Sequence, residues 1–329
     1  MTEGFRAWVV SKDPEFRMQL QEMALDDLPA GDVTIRVHYS SINFKDGLAL
    51  TPDGRVVFHY PMVPGVDLAG VVRQSSDRRF HEGDQVLATS YGLGVRHFGG
   101  FSEYARLPAA WVVPKPAGLS LREAMIIGTA GFTAGISVVK LEHNGLTRGQ
   151  GPVLVTGASG GVGSVAVDIL AGAGYQVVAS TGKEAAHDYL KKLGADVILP
   201  REDVNPPSSK ALEAERWAGA IDPVGGETLA YVLKTTQYGG SVAACGLTGG
   251  GAVNTSVFPF ILRGVNLLGI DSVAYPFEER CRLWERLGSD LKPRHLEEIL
   301  AREIPLEEIP QASGEILQGL LLGRVIVRI

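Results

Sequence analysis

A glycine-rich turn is the part of the chain whose residue types point most directly to a binding chemistry. An apolar run at 152–155 leads into Thr156-Gly157-Ala158-Ser159-Gly160-Gly161-Val162-Gly163, after which residues 164–171 are apolar at helical spacing. Gly157 lets the chain reverse, Gly160 and Gly161 let the backbone approach a pyrophosphate, and Gly163 lets the helix lie close to its strand. Because the helix N-terminus then faces the anion, the turn as a whole, Ser159 and Val162 included, predicts a dinucleotide site; the alternative is a structural turn.

The residues after the second predicted strand, 175–180, indicate which dinucleotide binds. An NAD site usually carries Asp or Glu there for the ribose 2′-hydroxyl, whereas this chain reads Ser180-Thr181-Gly182-Lys183. Two hydroxyls and an ammonium can receive a 2′-phosphate that a carboxylate would repel, and Arg201 could close over the adenine side. We therefore predict NADPH as the cofactor. The alternative is that Lys183 and Arg201 are ordinary solvated charges.

Length and charge restrict the class of protein. A chain of 329 residues exceeds the usual size of one core, so two domains are expected. The net charge of −6 and the lack of a basic run argue against nucleic acid or an anionic membrane as a partner. The N-terminus, Met1-Thr2-Glu3-Gly4-Phe5-Arg6, lacks the layout of a signal peptide, and no apolar run approaches membrane-spanning length, which predicts a cytoplasmic protein.

Two patterns of secondary structure divide the chain. Up to about residue 116, short β-prone runs separated by Gly, Pro and Asp turns predict a barrel-like domain. From about residue 121, strands and helices alternate, which predicts a parallel sheet wound by helices. The predicted strands are 152–156, 175–180, 196–199, 219–223, 239–245 and 265–271, and the predicted helices include 163–173, 184–193, 209–217 and 227–234.

The C-terminal part predicts a return to the first domain. A charged helix is expected from Tyr275-Pro276 toward Leu291, and residues 302–329 read as strand, helix and strand. The β-branched run 323–329 would rejoin the barrel-like domain. The fold class is therefore α/β, with a catalytic domain over 1–122 and 297–329 and a nucleotide-binding domain over 123–296.

Several motifs resemble those of the medium-chain dehydrogenase/reductase superfamily over the whole length of the chain. They are the segments 64–70, 83–86 and 128–134 and the glycine-rich turn. More narrowly, Asn43-Phe44-Lys45-Asp46 and the segments 156–164, 218–226, 245–247, 259–263 and 269–273 resemble the acrylyl-CoA reductase subfamily, whose members are often labelled quinone oxidoreductases. The resemblance implies a GroES-like barrel domain and a Rossmann domain with a doubly wound parallel sheet.

The resemblance also implies NADPH-dependent reduction of an activated C=C bond, with acryloyl-CoA reduced to propanoyl-CoA, and it implies that no metal is needed. Zinc-dependent relatives have Gly-His-Glu where this chain has Gly65-Val66-Asp67, a Cys ligand near Asn43, and four closely spaced cysteines. Zinc requires Cys, His or carboxylate ligands placed as a set. Cys245 and Cys281 form no such set, so no metal site is predicted.

Without zinc, hydrogen bonds or a cation must stabilise the enolate that forms when hydride reaches the β-carbon. We predict that Asn43 orients the substrate, that Lys45 supplies positive charge or holds the cofactor ribose, and that Asp67 pairs with Lys45. The α-carbon could take its proton from water. The alternative is that Lys45 and Asp67 form a structural ion pair.

Further cofactor contacts are implied by the resemblance alone. They come from Phe44, which stands where the family has Tyr, from Thr129 and Thr133 under the nicotinamide, and from Leu247, Ile261 and Ser272. Two other functions stay open: reduction of a quinone or enone, and a non-catalytic NADPH-binding protein. The presence of Asn43, Lys45 and Asp67 together disfavours the non-catalytic function.

The run 265–270 predicts how the chain assembles. It is largely apolar and would leave a hydrophobic sheet edge exposed, a hazard that pairing across a two-fold axis removes. We predict a homodimer joined through 265–271. The alternative is a strand covered by its own C-terminal helix.

Overall fold

The computed structural model describes residues 4–329; residues 1–3, part of the predicted leaderless N-terminus, lie outside the described residues. The chain forms two compact units. Unit 1 comprises Met1–Thr129, Val273–Ser289 and Leu300–Ile329, and unit 2 comprises Ala130–Ser272 and Asp290–Ile299. The division differs from the predicted boundaries mainly at 273–289, which the structure places in unit 1. There the Arg280 guanidinium donates to the Thr89 carbonyl at 3.0 Å.

The elements are numbered in chain order. Those before the glycine-rich turn are β1 Gly4–Lys12, β2 Phe16–Ala24, β3 Val33–Ser41, α1 Phe44–Ala49, β4 Asp67–Ser75, β5 Gln85–Thr89, β6 Tyr104–Leu107, β7 Val113–Pro114, α2 Leu121–His143 and β8 Val153–Val155. Those after it are α3 Gly161–Gly172, β9 Val177–Thr181, α4 His187–Lys192, β10 Val197–Pro200, β11 Trp217–Asp222, α5 Gly226–Thr235, β12 Thr236–Ala244, α6 Phe258–Arg263, β13 Asn266–Gly269, α7 Phe277–Leu287, α8 Leu296–Ile299, β14 Leu300–Pro305, α9 Ile309–Leu317 and β15 Arg324–Arg328.

Unit 1 is built on a mainly antiparallel sheet with the strand order β14-β15-β3-β4-β5-β7, in which β6 also pairs with β3. Val33, Ile35 and Val37 alternate along β3 and are buried in the core, as expected for one covered face of a strand. The C-terminal strand β15 pairs antiparallel with β3. This confirms that the strand–helix–strand at the C-terminus rejoins the first domain.

Unit 2 contains a six-stranded parallel sheet with the order β10-β9-β8-β11-β12-β13. Its central strands β8, β9 and β11 are buried at every position, because helices cover both faces of such a sheet. The strand order reverses between β8 and β11. In doubly wound sheets ligands bind at the carboxyl ends of the strands at this switch point.

Two predicted helices differ from the structure. Residues 209–216 are not helical: Pro206 and Pro207 precede them, and the backbone N–H groups of Glu213 and Arg216 donate to the Lys234 and Thr235 carbonyls at 3.0 and 2.8 Å. The helix expected to run toward Leu291 ends at Leu287, where Gly288 follows as its C-cap.

One prediction about apolar length is wrong. Within residues 4–329, helix α2 is long and apolar enough to cross a membrane by length and composition. In the structure 83% of its most apolar window is buried, and buried core helices pass the same test. The cytoplasmic location stays a prediction.

The predicted dimer strand, β13, is the edge strand of the unit 2 sheet and pairs with β12 alone among the described strands. Its Leu267 side chain is exposed, as are Ile261 and Leu262 of α6. We expect light scattering at micromolar concentration to give about twice the chain mass of 35.1 kDa. Leu267→Lys should shift the mass toward the monomer, whereas Leu320→Lys, at an exposed position in unit 1, should not. A monomeric wild-type mass would contradict the dimer.

Candidate active site

The glycine-rich turn adopts the geometry that a dinucleotide site requires. Gly157 has φ +52° and Gly160 is the N-cap of α3, a helix of 12 residues. A Cβ atom on Gly163 would lie 2.4 Å from the Gly157 carbonyl oxygen, so only glycine allows the helix to approach its strand this closely. The first N–H groups of α3 are therefore available to an anion.

The end of β9 gathers the residues predicted to receive a 2′-phosphate. Ser180 and Thr181 are buried, and the Thr181 hydroxyl lies 2.9 Å from the Ser159 hydroxyl. The Thr181 hydroxyl also accepts from the Lys183 backbone N–H at 3.1 Å. A Cβ on Gly182 would lie 2.7 Å from an Arg201 guanidinium nitrogen. Burial, and then the nearby charge of Arg201, lower the pKa of Lys183.

A buried carboxylate fixes the switch point of the sheet. The Thr156 hydroxyl, just after β8, donates to Asp222 Oδ1 at 2.5 Å, and the Gly225 N–H donates to Asp222 Oδ2 at 2.7 Å. Burial raises the pKa of Asp222. The contact joins the carboxyl ends of β8 and β11 at the point where the crevice opens.

The remaining residues predicted to contact the cofactor belong to both units. In unit 2, Leu247 and Ile261 are exposed, Thr133 is buried and Ser272 is partly buried. In unit 1, Phe44 is 41% exposed and Thr129 is partly buried. Their role as cofactor contacts stays a prediction.

In unit 1 the predicted catalytic residues Asn43 and Asp67 lie together. Asp67 is fully buried at the start of β4 and accepts hydrogen bonds from Ser41 Oγ at 2.6 Å and Asn43 Nδ2 at 2.8 Å. It also accepts from the Thr129 N–H at 2.9 Å and the Thr129 hydroxyl at 2.5 Å. The Asp67 carboxylate therefore accepts four hydrogen bonds, and none of them comes from Lys45.

The charge that faces Asp67 is Arg324, not Lys45. Arg324 Nη2 lies 3.8 Å from Asp67 Oδ2, with side-chain exposures of 2% and 0%. Arg324 also donates to Asn43 Oδ1 at 3.2 Å and to Ser41 Oγ at 2.8 Å. Burial lowers the pKa of Arg324. Among residues 4–329 no ion pair joins Asp67 to Lys45, so the predicted pairing is wrong.

Gly128 makes room for this network. It interrupts α2 with φ +50°, and a Cβ there would lie 2.6 Å from Asp67 Oδ2 and 2.7 Å from Arg324 Nη2. Because the helix is interrupted at Gly128, the Thr129 N–H donates to the Asp67 carboxylate and not to a carbonyl of the preceding helical turn. Asn43 uses both ends of its amide within the network, so we interpret it as a residue that positions α1.

Asp46 anchors the start of α1 from inside. Its carboxylate accepts the Asn43 N–H at 2.8 Å and the Val66 N–H at 2.9 Å, while it is completely buried. Burial, and then the nearby charge of Asp67, raise the pKa of Asp46 to about 7. These contacts fix the position from which Lys45 extends.

Lys45 lines a cavity of about 600 Å³ in unit 1. Tyr91, Trp111 and Phe58 form aromatic parts of its wall, and Arg55 and Arg96 are the other cations. The Tyr91 and Trp111 rings stack with centroids 5.6 Å apart. None of the described residues that line the cavity is acidic. The cavity can therefore hold a molecule that is apolar in one part and anionic in another.

Arg280 packs against Tyr91, one of the aromatic residues that line the cavity. Its guanidinium lies 4.1 Å from the Tyr91 ring centroid and donates to the Thr89 hydroxyl at 3.1 Å. Ser90 and Tyr91 both have left-handed backbone conformations, with φ +61° and +50°. Consecutive left-handed residues other than glycine indicate a segment held in place by its surroundings.

Comparison with known proteins places the chain in a family. The family model described as alcohol dehydrogenase GroES-like domain matches residues 29–117, and the one described as zinc-binding dehydrogenase matches residues 161–287. Among residues 4–329 the structure shows no group of three or more His, Cys, Asp or Glu side chains that could hold a metal ion.

Relatives match over almost the whole chain. YhfP of Bacillus subtilis, a quinone oxidoreductase by name, is 54% identical over 100% of both chains, and the acrylyl-CoA reductase AcuI of Ruegeria pomeroyi is 50% identical over 98% of both. The chain belongs to the medium-chain dehydrogenase/reductase superfamily. It is an oxidoreductase of the group that includes YhfP and AcuI, which confirms the predicted family and enzyme class.

Solved structures confirm the fold class of this reductase. The crystal structure of YhfP with NAD bound has a TM-score of 0.98 at 54% identity, over 100% of both chains. The YhdH oxidoreductase from Salmonella enterica in complex with NADP has a TM-score of 0.95 at 49% identity, over 98% of this chain and 99% of that one. The GroES-like domain and the Rossmann domain are thus both as predicted.

Several residues of the reductase's site were not predicted from sequence. Arg324 is the only charged residue between Gly323 and Val327, which could have marked it as buried and paired. Arg55 and Arg96 lie in loops, and no motif or pattern around them in the sequence indicates a binding role.

Proposed function

We propose that the reductase transfers hydride from NADPH to the activated C=C bond of an α,β-unsaturated CoA thioester, with acryloyl-CoA reduced to propanoyl-CoA. The observation that carries the proposal is the cavity of unit 1, in which Lys45, Arg55 and Arg96 accompany aromatic walls without any acidic lining residue. An enoyl-CoA has a small apolar acyl end and an anionic nucleotide end. An uncharged quinone has no group for the cations.

NADPH is the cofactor that the unit 2 site fits. Thr181, Lys183 and Arg201 offer a hydroxyl and two cations where an NAD site has a carboxylate. The Salmonella relative binds NADP, which supports the choice, whereas the Bacillus relative was crystallised with NAD. The Gly157–Gly163 turn accommodates the pyrophosphate that both dinucleotides share.

When bound, NADPH supplies a hydride to the β-carbon of the substrate. The developing negative charge on the thioester oxygen then requires a positive or hydrogen-bonding group. We assign this role to Lys45, because it lines the cavity and no carboxylate among the described residues forms an ion pair with it. Asn43 and Asp67 hold the N-terminus of α1 and so position Lys45; the α-carbon takes its proton from water.

Lys183 tests the cofactor assignment. A lost charge-assisted phosphate contact typically costs about 1.5–3 kcal/mol, so Lys183→Ala should raise KM for NADPH more than about tenfold and leave KM for NADH nearly unchanged. Steady-state kinetics with each cofactor measures both values. Lys192→Ala, at the exposed end of α4, is the control. Equal use of NADH and NADPH by the wild type would contradict the assignment.

Metal removal tests whether side chains of the protein, without a metal ion, supply the positive charge that stabilises the negative thioester oxygen. Exhaustive chelation followed by gel filtration should leave kcat for acryloyl-CoA unchanged. Elemental analysis of the active enzyme is the second measurement, and stoichiometric zinc would overturn the metal-free assignment.

A comparison of substrates tests the proposed function as a whole. We expect kcat/KM with NADPH to be higher for acryloyl-CoA than for 1,4-benzoquinone or a simple enone. The quinone is the second candidate because YhfP is named as a quinone oxidoreductase and because the stacked Tyr91 and Trp111 rings could receive a flat acceptor. Preference for the quinone, or no reduction of the thioester, would reject the proposal.

A further inference from the structure

Two arginines and a lysine contribute positive charge to the wall of the unit 1 cavity. Several other arginines of this unit pair with carboxylates, as Arg6 does with Glu103 at 3.1 Å and Arg73 with Glu82 at 2.7 Å. Within the described part of the chain, neither Arg55 nor Arg96 has an ion-pair partner, and neither does Lys45. Three unpaired cations around one apolar cavity create a positive potential that favours an anionic ligand.

The backbone at Arg55 is held in an unusual conformation. Its φ of +53° is in the left-handed region, which residues other than glycine seldom adopt. Such strain persists only where the surrounding structure imposes it, and it often accompanies a ligand-binding role. The conformation lies beside Val56 and Phe58, which also line the cavity.

Phe58 provides a stacking surface next to these charges. Its side chain is 64% exposed, which is unusual for a large aromatic residue. The Arg96 guanidinium carbon lies 4.0 Å from the Phe58 ring centroid. A guanidinium over an exposed ring can bind phosphate with its edge while the ring or the guanidinium plane stacks on a purine base.

We propose that Arg55, Arg96 and Phe58 form a subsite for the 3′-phospho-ADP end of the CoA thioester. This inference rests on the proposed function and names the residues that would make the reductase specific for CoA esters. The two exposed arginines receive phosphates and Phe58 stacks on adenine. The half-buried Lys45 is left for the acyl end.

Substrates that lack parts of the nucleotide distinguish binding at this subsite from the hydride-transfer reaction. Acryloyl-CoA, its dephospho form without the 3′-phosphate, and acryloyl-pantetheine share the same reacting thioester. For the wild type, KM should rise from the first to the last while kcat changes little, because the nucleotide end contributes binding that is equal in ground and transition states. KM for acryloyl-CoA should also rise with salt, and KM for acryloyl-pantetheine should not.

Variants assign the effect to residues. Arg55→Gln and Arg96→Gln should each raise KM for acryloyl-CoA about fivefold, and the double variant about 20-fold or more, with kcat within about twofold. Phe58→Leu, which keeps apolar bulk but loses the ring, should raise KM for both CoA forms. None of these variants should change KM for acryloyl-pantetheine. Arg17→Gln, at another exposed arginine, is the matched control and should change nothing.

The outcomes distinguish the two claims. Equal kcat/KM of the wild type for acryloyl-CoA and acryloyl-pantetheine would overturn the subsite and leave the proposed function standing. The same holds if the arginine variants change KM for pantetheine as much as for CoA. Failure of the wild type to reduce either thioester would instead reject the proposed function.

Discussion

Replacement of Lys45 by Met should lower kcat for acryloyl-CoA about 100-fold or more, the usual effect of removing one group that stabilises an oxyanion. The side chain of Lys45 lines the cavity, and Met is one atom shorter but keeps most of the apolar stem while it removes the charge. The measurement is kcat and KM with both substrates varied. Lys45→Arg keeps the charge and should recover part of the rate.

Two results would contradict this role. If Lys45 holds the cofactor ribose, KM for NADPH should rise while kcat at saturation is kept. If Lys45→Met keeps full kcat/KM, the chemistry lies elsewhere in the cavity. Lys192→Met, at the exposed end of α4, controls for the loss of a lysine alone.

Replacement of Arg324 by Met should lower the free energy of unfolding by about 3–5 kcal/mol, because it leaves the Asp67 carboxylate buried without its compensating charge. Asp67 keeps its hydrogen bonds from Ser41, Asn43 and Thr129, but none of these neutralises it. Urea denaturation followed by fluorescence measures the change. Addition of Asp67→Asn should restore part of the loss, so that the two effects are not additive.

Arg328 offers a matched control on the same strand. It lies 3.8 Å from Glu303, the same separation as in the buried pair, but its side chain is 71% exposed. Exposed ion pairs contribute about 0–1 kcal/mol, so Arg328→Met should change stability little. If Arg324→Met lowers the free energy of unfolding by no more than Arg328→Met does, the buried network does not stabilise unit 1.

The parts of the molecule that were predicted from sequence are those whose signals are local. The turn from Gly157 to Gly163 has its strand before it and its helix after it, so the motif and its context lie within one stretch of chain. The β-branched run that forms β15 was also recognisable as a strand. By contrast, residues 209–216 lack a helix because their backbone donors bond to Lys234 and Thr235, a tertiary contact that no local propensity reveals.

The unit 1 site depends on contacts between residues far apart in the sequence. Motifs indicate Asn43 and Asp67, and the sequence predicts Lys45 as the partner of Asp67. The partner in the structure, Arg324, comes instead from the last strand of the chain. The pairing of β15 with β3 sets Ile326 opposite Ser41, and Arg324, two residues earlier, donates to Ser41 Oγ at 2.8 Å. Arg55 and Arg96 come from two separate loops and line the same cavity only after folding, which spacing in sequence does not encode.

Isotope transfer tests the central claim, reduction of an enoyl thioester by hydride from NADPH, most directly. NADPH deuterated at both C4 positions, incubated with the wild-type enzyme and acryloyl-CoA, should give propanoyl-CoA with one deuterium at C3, detected by mass spectrometry and NMR. Unlabelled NADPH in heavy water should place one deuterium at C2. Oxidation of NADPH without labelled propanoyl-CoA, or label at C3 that comes from solvent, would contradict the account.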